Sequence, residues 1–348
     1  MAIIANAYKK KLENTDFKNE AISIIIPYRN EENNLEKCLK SLITQKFNAH
    51  FEIILVNDNS EDNGEKIARD FLEKNQFSNV QCVHSSPTIF GKKNAVLEGV
   101  KHAKYPIICT FDADSIASED WLDAVSKAFQ SDKTKMVLGE VIIKRTDGFL
   151  NLLQHSESVL TSIFMASGVK SKRPLLVSAA NMAFRKEIFN ELNPYQDNLH
   201  VPSGDDIFLM EKALQKYGTR AFGFIENEVC TNQVDSFEYY FRQRVRWLRK
   251  MKYAKGLKLT NALSFFIAFV NTFCLTAIFF LPNLLQVLML FSIKYVADIF
   301  LLSASKHTSK NAIIYSPILF IWWLVYPMLL FIFSFFLKNA WKGREAKV

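Results

Sequence analysis

Two carboxylates, Asp112 and Asp114, close the apolar run Tyr105-Pro106-Ile107-Ile108-Cys109-Thr110-Phe111, which reads as a buried strand. The carboxyl edge of a strand is where open α/β sheets bind ligands. Residues two apart in an extended segment point to the same side, so both carboxylates can approach one hard cation, Mg²⁺ or Mn²⁺, carrying a diphosphate. A chance Asp-x-Asp on a solvated loop is the plain alternative. Other polar clusters share this placement. Pro27, Tyr28, Asn30 and Glu32 leave the run Ser23-Ile24-Ile25-Ile26, and Asn57-Asp58-Asn59-Ser60 leaves Glu52-Ile53-Ile54-Leu55-Val56. Asp58 there could accept the N3–H of uracil, while Asp58-Asn59-Ser60-Glu61 also has the residue types of a turn and helix cap. Gly91-Lys92-Lys93-Asn94-Ala95 opens a helix whose N–H groups and lysine charge could hold phosphate. The G-x-x-x-x-G-K-[ST] spacing is missing, which removes simple ATPase readings.

Elements must carry these groups. Short apolar runs at Ile22–Ile26, Phe51–Asn57, Val80–His84, Ile107–Phe111 and Met136–Ile143 alternate with amphipathic stretches, the rhythm of a doubly wound, largely parallel sheet. Residues 148–170 read as an amphipathic packing helix, and Leu175–Phe184 resumes strand character. Asp205 to Tyr217 reads as a helix ended by Gly218; acids at its start are favourable with no chemistry involved. Phe237 to Lys255 reads as a last long helix, with Gln243, Arg246 and Trp247 at i, i+3 and i+4 on one face and Phe241, Val245 and Leu248 on another. Arg246 suits a departing diphosphate, and Trp247 offers a flat surface to a sugar or acceptor. An anchoring helix rich in Arg and Trp is the other reading.

The order and spacing of these motifs, over roughly residues 20 to 255, resemble the family-2 glycosyltransferases, in the membrane-bound branch that carries Q-x-x-R-W. The resemblance implies a GT-A fold, the α/β fold of nucleotide-diphospho-sugar transferases, and an inverting reaction. It makes Asp206 the general base, with Asp205 orienting or capping beside it and its like charge expected to raise the pKa of the base. It also makes Asp58 a donor-base ligand, although the usual acidic pair is Asn57-Asp58 here and leaves one carboxylate. Lys93 is the expected phosphate lysine. Asn181, after Val177-Ser178-Ala179-Ala180, falls on a segment similar to the family's acceptor-side strand; a buried Asn satisfied by backbone serves equally.

Of 348 residues 49% are hydrophobic, with 30 Phe, too rich for an ordinary soluble enzyme. The excess lies in Ala262 to Leu281, Leu284 to Ser303 and Ala312 to Leu337, each long enough for a hydrocarbon core of ~30 Å. The second carries Lys294 and Asp298, costly in lipid but spaced to pair on one helical face; alternatively that segment lies on the membrane surface. Net charge is +8, and residues 242–258 hold eight Arg or Lys with no acid, just before the first apolar segment. By the positive-inside rule this places the catalytic part in the cytoplasm, and it favours a lipid surface over nucleic acid as the partner. Five Cys without ligand-like spacing fit reduced thiols, and Met1–Ala7 is too short for a signal-peptide core.

The expected organisation is a basic lead-in over 1–20, a GT-A domain over 21–236, an interfacial helix over 237–258, a membrane region over 259–340 with about three helices, and a basic tail over 341–348. The expected reaction moves a sugar from a nucleotide donor, UDP-linked by preference, to a lipid or lipid-linked glycan at the cytoplasmic face of the cell inner membrane. A processive polysaccharide synthase is the enzymatic alternative. A silent sugar-nucleotide-binding membrane protein is the other class, against which stand the three carboxylates Asp112, Asp114 and Asp206.

Overall fold

The computed structural model describes residues 19–75, 77–86, 91–199, 201, 203–254, 256–337, 340–341 and 344–345. Most of the expected lead-in therefore lies outside the described residues, as does much of the tail. The elements in chain order are β1 (Ile22–Tyr28), α1 (Leu35–Ile43), β2 (Phe51–Asn57), α2 (Gly64–Asn75), β3 (Val80–His84), α3 (Lys92–His102), β4 (Ile107–Thr110), β5 (Ser115–Ala117), α4 (Trp121–Ala128), β6 (Met136–Ile143) and α5 (Phe149–Lys170). After them come β7 (Met182–Arg185), α6 (Lys186–Leu192), α7 (Ile207–Tyr217), β8 (Phe222–Thr231), α8 (Phe237–Met251), α9 (Lys258–Phe280), α10 (Leu284–Ser303), α11 (Lys310–Ile314) and α12 (Ser316–Phe336).

Eight strands form one sheet in the order β3-β2-β1-β4-β7-β6-β8-β5. β1 lies parallel to both β2 and β4, with Ile24 opposite Ile53 on one side and Cys109 on the other. These strands are mostly apolar because both faces are covered, and their buried polar Ser23 and Glu52 pair with each other. The pleat sorts them: Ile22, Ile24 and Ile26 join Ile53 and Leu55 in one core, while Ile25 joins Ile54 and Val56 in the other. β7 runs antiparallel to β4 and β6, and β8 returns parallel to β6. The mostly parallel α/β fold matches the expectation, and the carboxyl ends of β1, β2 and β4 share one edge.

Some elements differ from the sequence reading. The expected strand 175–184 shrinks to β7, preceded by a 3-10 turn at Ala179–Asn181 that Ser178 caps through its side chain. β8 is absent from the sequence reading because Glu226, Asn227 and Glu228 interrupt its apolar pattern; its Ile225 and Val229 are fully buried in the folded sheet. The third apolar segment, expected from Ala312, divides into α11 and α12, with Pro317 in the first turn of α12.

α9, α10 and α12 are each long and apolar enough to cross a membrane. Their outer faces are bare, with Phe279 83% exposed and Phe265 74% exposed. Lys294 and Asp298 form the expected i,i+4 ion pair on α10, and the Lys294 ammonium also lies 5.4 Å from the centre of the Phe320 ring of α12. α12 is held along α8: Phe241 stacks near Phe333 at 4.6 Å, Tyr240 near Tyr326 at 6.0 Å and Phe237 near Trp322 at 6.2 Å. Arg249 of α8 donates to the carbonyls of Ser334 and Leu337, both at 2.7 Å, satisfying the last turn of α12.

Candidate active site

Asp112 and Asp114 follow β4 at the common strand edge, as expected. Lys92, in the first turn of α3, reaches across with Nζ 2.5 Å from Oδ1 of Asp112 and 3.1 Å from Oδ2 of Asp205. Burial disfavours the charge on Lys92, but the carboxylates of Asp112 and Asp205 outweigh it, so its pKa stands above that of an ordinary lysine. Asp205 is also buried, which alone would raise its pKa; the ammonium groups of Lys92 and Lys250 reverse the sign and hold the carboxyl below its usual value.

Asp206 is the N-cap of α7, its Oδ1 accepting the N–H of Ile207 at 2.7 Å. Gly204 before it has φ +97°, and a Cβ there would lie 2.6 Å from the Phe208 ring, so the approach to the helix needs glycine twice over. Lys250 on α8 donates to both oxygens of Asp206 at 3.0 and 3.2 Å. The repulsion expected between the two acids is thus offset by one cation on each, Lys92 on Asp205 and Lys250 on Asp206. Arg246, one turn before Lys250, sits in the field of Asp205, Asp112 and Asp206; burial lowers its pKa against their pull. Trp247 is 41% exposed at the rim. Three cations, Lys92, Lys250 and Arg246, therefore lie beside the acids Asp112, Asp205 and Asp206.

Two expected residues take other positions. Lys93 is 4% exposed and turns away from the cleft, its ammonium donating to the side-chain and main-chain oxygens of Asn198 and to the Val201 carbonyl, beneath the Phe208 ring. Burial pulls it down to about 8. Of the adjacent pair, Lys92 faces the carboxylates, and spacing alone could not choose because the helix start decides which of two neighbours turns inward. Asn181 is 1% exposed: it accepts from the Trp121 indole at 2.9 Å and donates to the carbonyls of Glu140 and Asn227 at 2.8 and 3.0 Å. A Cβ on Gly139 would come within 2.3 Å of its amide nitrogen. Both amide hydrogens are taken, so Asn181 ties β6, β7 and β8 together and is not open to an acceptor.

The remaining expected residues brace the strand edge. Tyr28 is buried, and burial raises its phenol pKa. Pro27 lies within β1 and is buried as well. Asn30 accepts the N–H of Glu61, and Glu32 accepts the N–H of Asn63, so the loops after β1 and β2 are laced to each other. Asp58 is fully buried; it accepts from the Ser85 hydroxyl at 3.1 Å and the Gly91 N–H at 3.2 Å, clamping the start of α3 to the end of β2. Gln243 accepts from the Arg244 guanidinium. The sequence reading preferred Lys93 to Lys92 and gave no role to Lys250 or Arg244, which bring charge to the cleft or its rim. Their signal was the density of bases beside acids.

No cluster of three His, Cys, Asp or Glu able to hold a metal is found among the described residues. Two hard carboxylates on one loop still fit Mg²⁺ or Mn²⁺, because such ions are commonly bound by one or two carboxylates with substrate phosphates completing the shell.

Residues 23–193 match the family model Glycosyl transferase family 2. A probable glycosyltransferase of Bacillus subtilis, YdaM, is 24% identical over 237 residues, 67% of this chain and 55% of that protein. Glycosyltransferase AglE of Haloferax volcanii is 23% identical over 202 residues, 55% of this chain and 60% of that protein. The poly-beta-1,6-N-acetyl-D-glucosamine synthase of Staphylococcus epidermidis is 27% identical over 163 residues, 43% of this chain and 38% of that protein. In each case the match spans less than two thirds of the relative. The structure of mannosyltransferase PcManGT from Pyrobaculum calidifontis, in complex with GDP-Man and Mn²⁺, is similar in fold with a TM-score of 0.54 at 13% identity, covering 96% of this chain and 94% of that one. The family match over residues 23–193 and the similar solved fold agree on an α/β fold of GT-A type.

Proposed function

We propose that the protein is a membrane-bound inverting glycosyltransferase that moves a sugar, a hexose in the first instance, from a nucleotide-diphosphate donor to a hydroxyl of a lipid or lipid-linked glycan at the cytoplasmic leaflet. The carrying observation is that Asp206, Arg246 and the Asp112–Lys92–Asp205 bridge meet beside α8, the helix that leads directly into the apolar helices. Asp206 takes the proton of the acceptor hydroxyl, whose oxygen bonds the anomeric carbon as the bond to the diphosphate breaks on the opposite face. Lys250 leaves the Asp206 oxygens to admit the hydroxyl. Arg246 and Lys92 hold the departing diphosphate through charge-assisted hydrogen bonds, so no general acid is needed. Asp112 and Asp114 would hold a divalent cation, which when bound neutralises diphosphate charge. UDP is the nucleotide that the family resemblance favours, and the GDP-Man seen in the similar fold makes guanosine donors the first comparison.

A processive synthase is the second reading, favoured by the similarity to the poly-beta-1,6-N-acetyl-D-glucosamine synthases. Membranes containing the protein, incubated with labelled UDP- and GDP-sugars, separate the two: label in the lipid extract supports single transfer, and long soluble polymer supports the synthase. EDTA should stop incorporation and Mn²⁺ or Mg²⁺ restore it. Full activity in chelator, with no metal in the preparation, rules out the metal assignment.

A further inference from the structure

Glu157 of α5 accepts hydrogen bonds from three side chains on two other helices. Arg244 donates through Nε and Nη2, at 3.0 and 2.6 Å to Oε2, and the hydroxyls of Tyr240 and Tyr326 each lie 3.2 Å away. Tyr326 belongs to the apolar helix α12, and the other donors belong to α8. Arg244 is 3% exposed, with its guanidinium 4.6 Å from the Tyr240 ring centre and 4.4 Å from that of Trp247. Its remaining fork nitrogen, Nη1, donates to Oε1 of Gln243. One buried cation therefore holds both Gln243 and Trp247, the outer members of the Gln-x-x-Arg-Trp set, and is itself held by a carboxylate that a membrane helix grips.

We infer that Arg244 and Glu157 are positioning residues that fix Gln243 and Trp247, and that Tyr326 transmits the seating of the third apolar helix to this rim. The inference rests on the proposed function for its transfer readout, but not for the coupling itself. A guanidinium is suited to it because its planar fork bonds a carboxylate while its faces stack on rings. Lysine would keep the charge and lose both directions. The neutral Tyr326 hydroxyl adds a bond from the membrane side without adding charge, so shifting α12 relaxes the grip on Glu157 while leaving the ion pair in place.

The test uses the full chain in lipid nanodiscs and compares wild type, Tyr326→Phe, Trp247→Ala and the double variant. Removing the Tyr326 hydroxyl is the mild change, since Glu157→Gln would strand a buried guanidinium and risks misfolding. Tyr326→Phe should raise deuterium uptake in peptides spanning residues 240–250 while leaving β1, β2 and β4 unchanged. It should lower kcat/KM for the lipid acceptor about 3- to 10-fold in wild type and less than about 2-fold in the Trp247→Ala background. Arg244→Lys should lower kcat/KM more than 10-fold with nucleotide affinity within about 3-fold of wild type. Unchanged uptake over 240–250, or an equal fold-loss from Tyr326→Phe in both backgrounds, overturns the inference. A wild type that transfers no sugar overturns the functional reading instead, and the exchange measurement still decides the coupling.

Discussion

Lys92 bridges Asp112 and Asp205 while Lys250 holds Asp206, and that arrangement sets different expectations for neighbouring residues. Asp206→Asn keeps the size of the helix cap but loses the proton acceptor, so turnover should fall by about 10²–10⁴-fold with nucleotide affinity near wild type. Turnover and nucleotide titration on the same preparation check this; residual turnover above about a tenth of wild type would reassign the base. The two lysines at the start of α3 should separate just as sharply. Lys92 bridges Asp112 and Asp205, whereas Lys93 is enclosed by carbonyls of the segment around Asn198. Lys92→Met should weaken nucleotide-sugar binding by more than 10-fold. Lys93→Met should leave that affinity within about 3-fold and lower the melting temperature. Equal losses of affinity in the two variants would show that the cleft does not distinguish them.

At the scale of elements, the site depends on helices fastened to sheet edges by single buried polar groups. His155 of α5 is one of these, with Nδ1 2.8 Å from the Ile143 carbonyl at the end of β6. Burial lowers its pKa, which the Ile143 and His307 carbonyls only partly offset. The unfolded chain takes up that proton near pH ~6.5 while the folded chain resists it, so more protons are bound unfolded and stability falls as pH drops below ~6.5 towards the folded value. Thermal melts from pH 8 to 5 should therefore show His155→Gln losing less stability on acidification than wild type does. Parallel curves for the two proteins would remove His155 as the source. Asn181 plays the same fastening role for β6, β7 and β8, which is why an amide that looked available in the sequence is spoken for in the fold.

At the scale of the molecule, the apolar helices are not a separate anchor at the end of a finished domain. Tyr240 and Phe241 of α8 are buried beneath Trp322, Tyr326 and Phe333 of α12, and Arg249 closes the last carbonyls of that helix. Ala254 and Leu257, in the turn before α9, are buried in the same core as Met210 and Phe222. Ending the chain at Lys258 would uncover both aromatics and remove the Ser334 and Leu337 carbonyls from Arg249. Such a protein should label lipid at less than about a hundredth of the full-length rate and melt several degrees lower, since aromatic burial is worth ~1.5–3 kcal/mol per side chain. Lipid extraction after incubation with labelled donor, with a melt alongside, checks both. A truncated chain as active and as stable as the full one would show that α12 merely anchors.

Much of this was legible in the residues themselves. The apolar runs of β1, β2 and β4 mark strands covered on both faces, and the acids that follow them mark the binding edge, because a chain leaving a buried strand must become polar where it meets solvent. The length of the three apolar segments, and the four-residue spacing of Lys294 and Asp298, follow from helix geometry alone. What sequence could not decide was the partner of each polar group. Lys92 against Lys93, the enclosure of Asn181, the cation on Asp206 and the joining of Glu157 to both Arg244 and Tyr326 depend on residues well separated in the chain, as Asp112 is 20 from Lys92, Lys250 is 44 from Asp206 and Tyr326 is 169 from Glu157. Local patterning sets which face of an element is apolar. Only the packing of α3 and α5 against the sheet, and of α8 against α12, decides which charge meets which, because Coulomb and hydrogen-bond energies depend on distance in space and not along the chain.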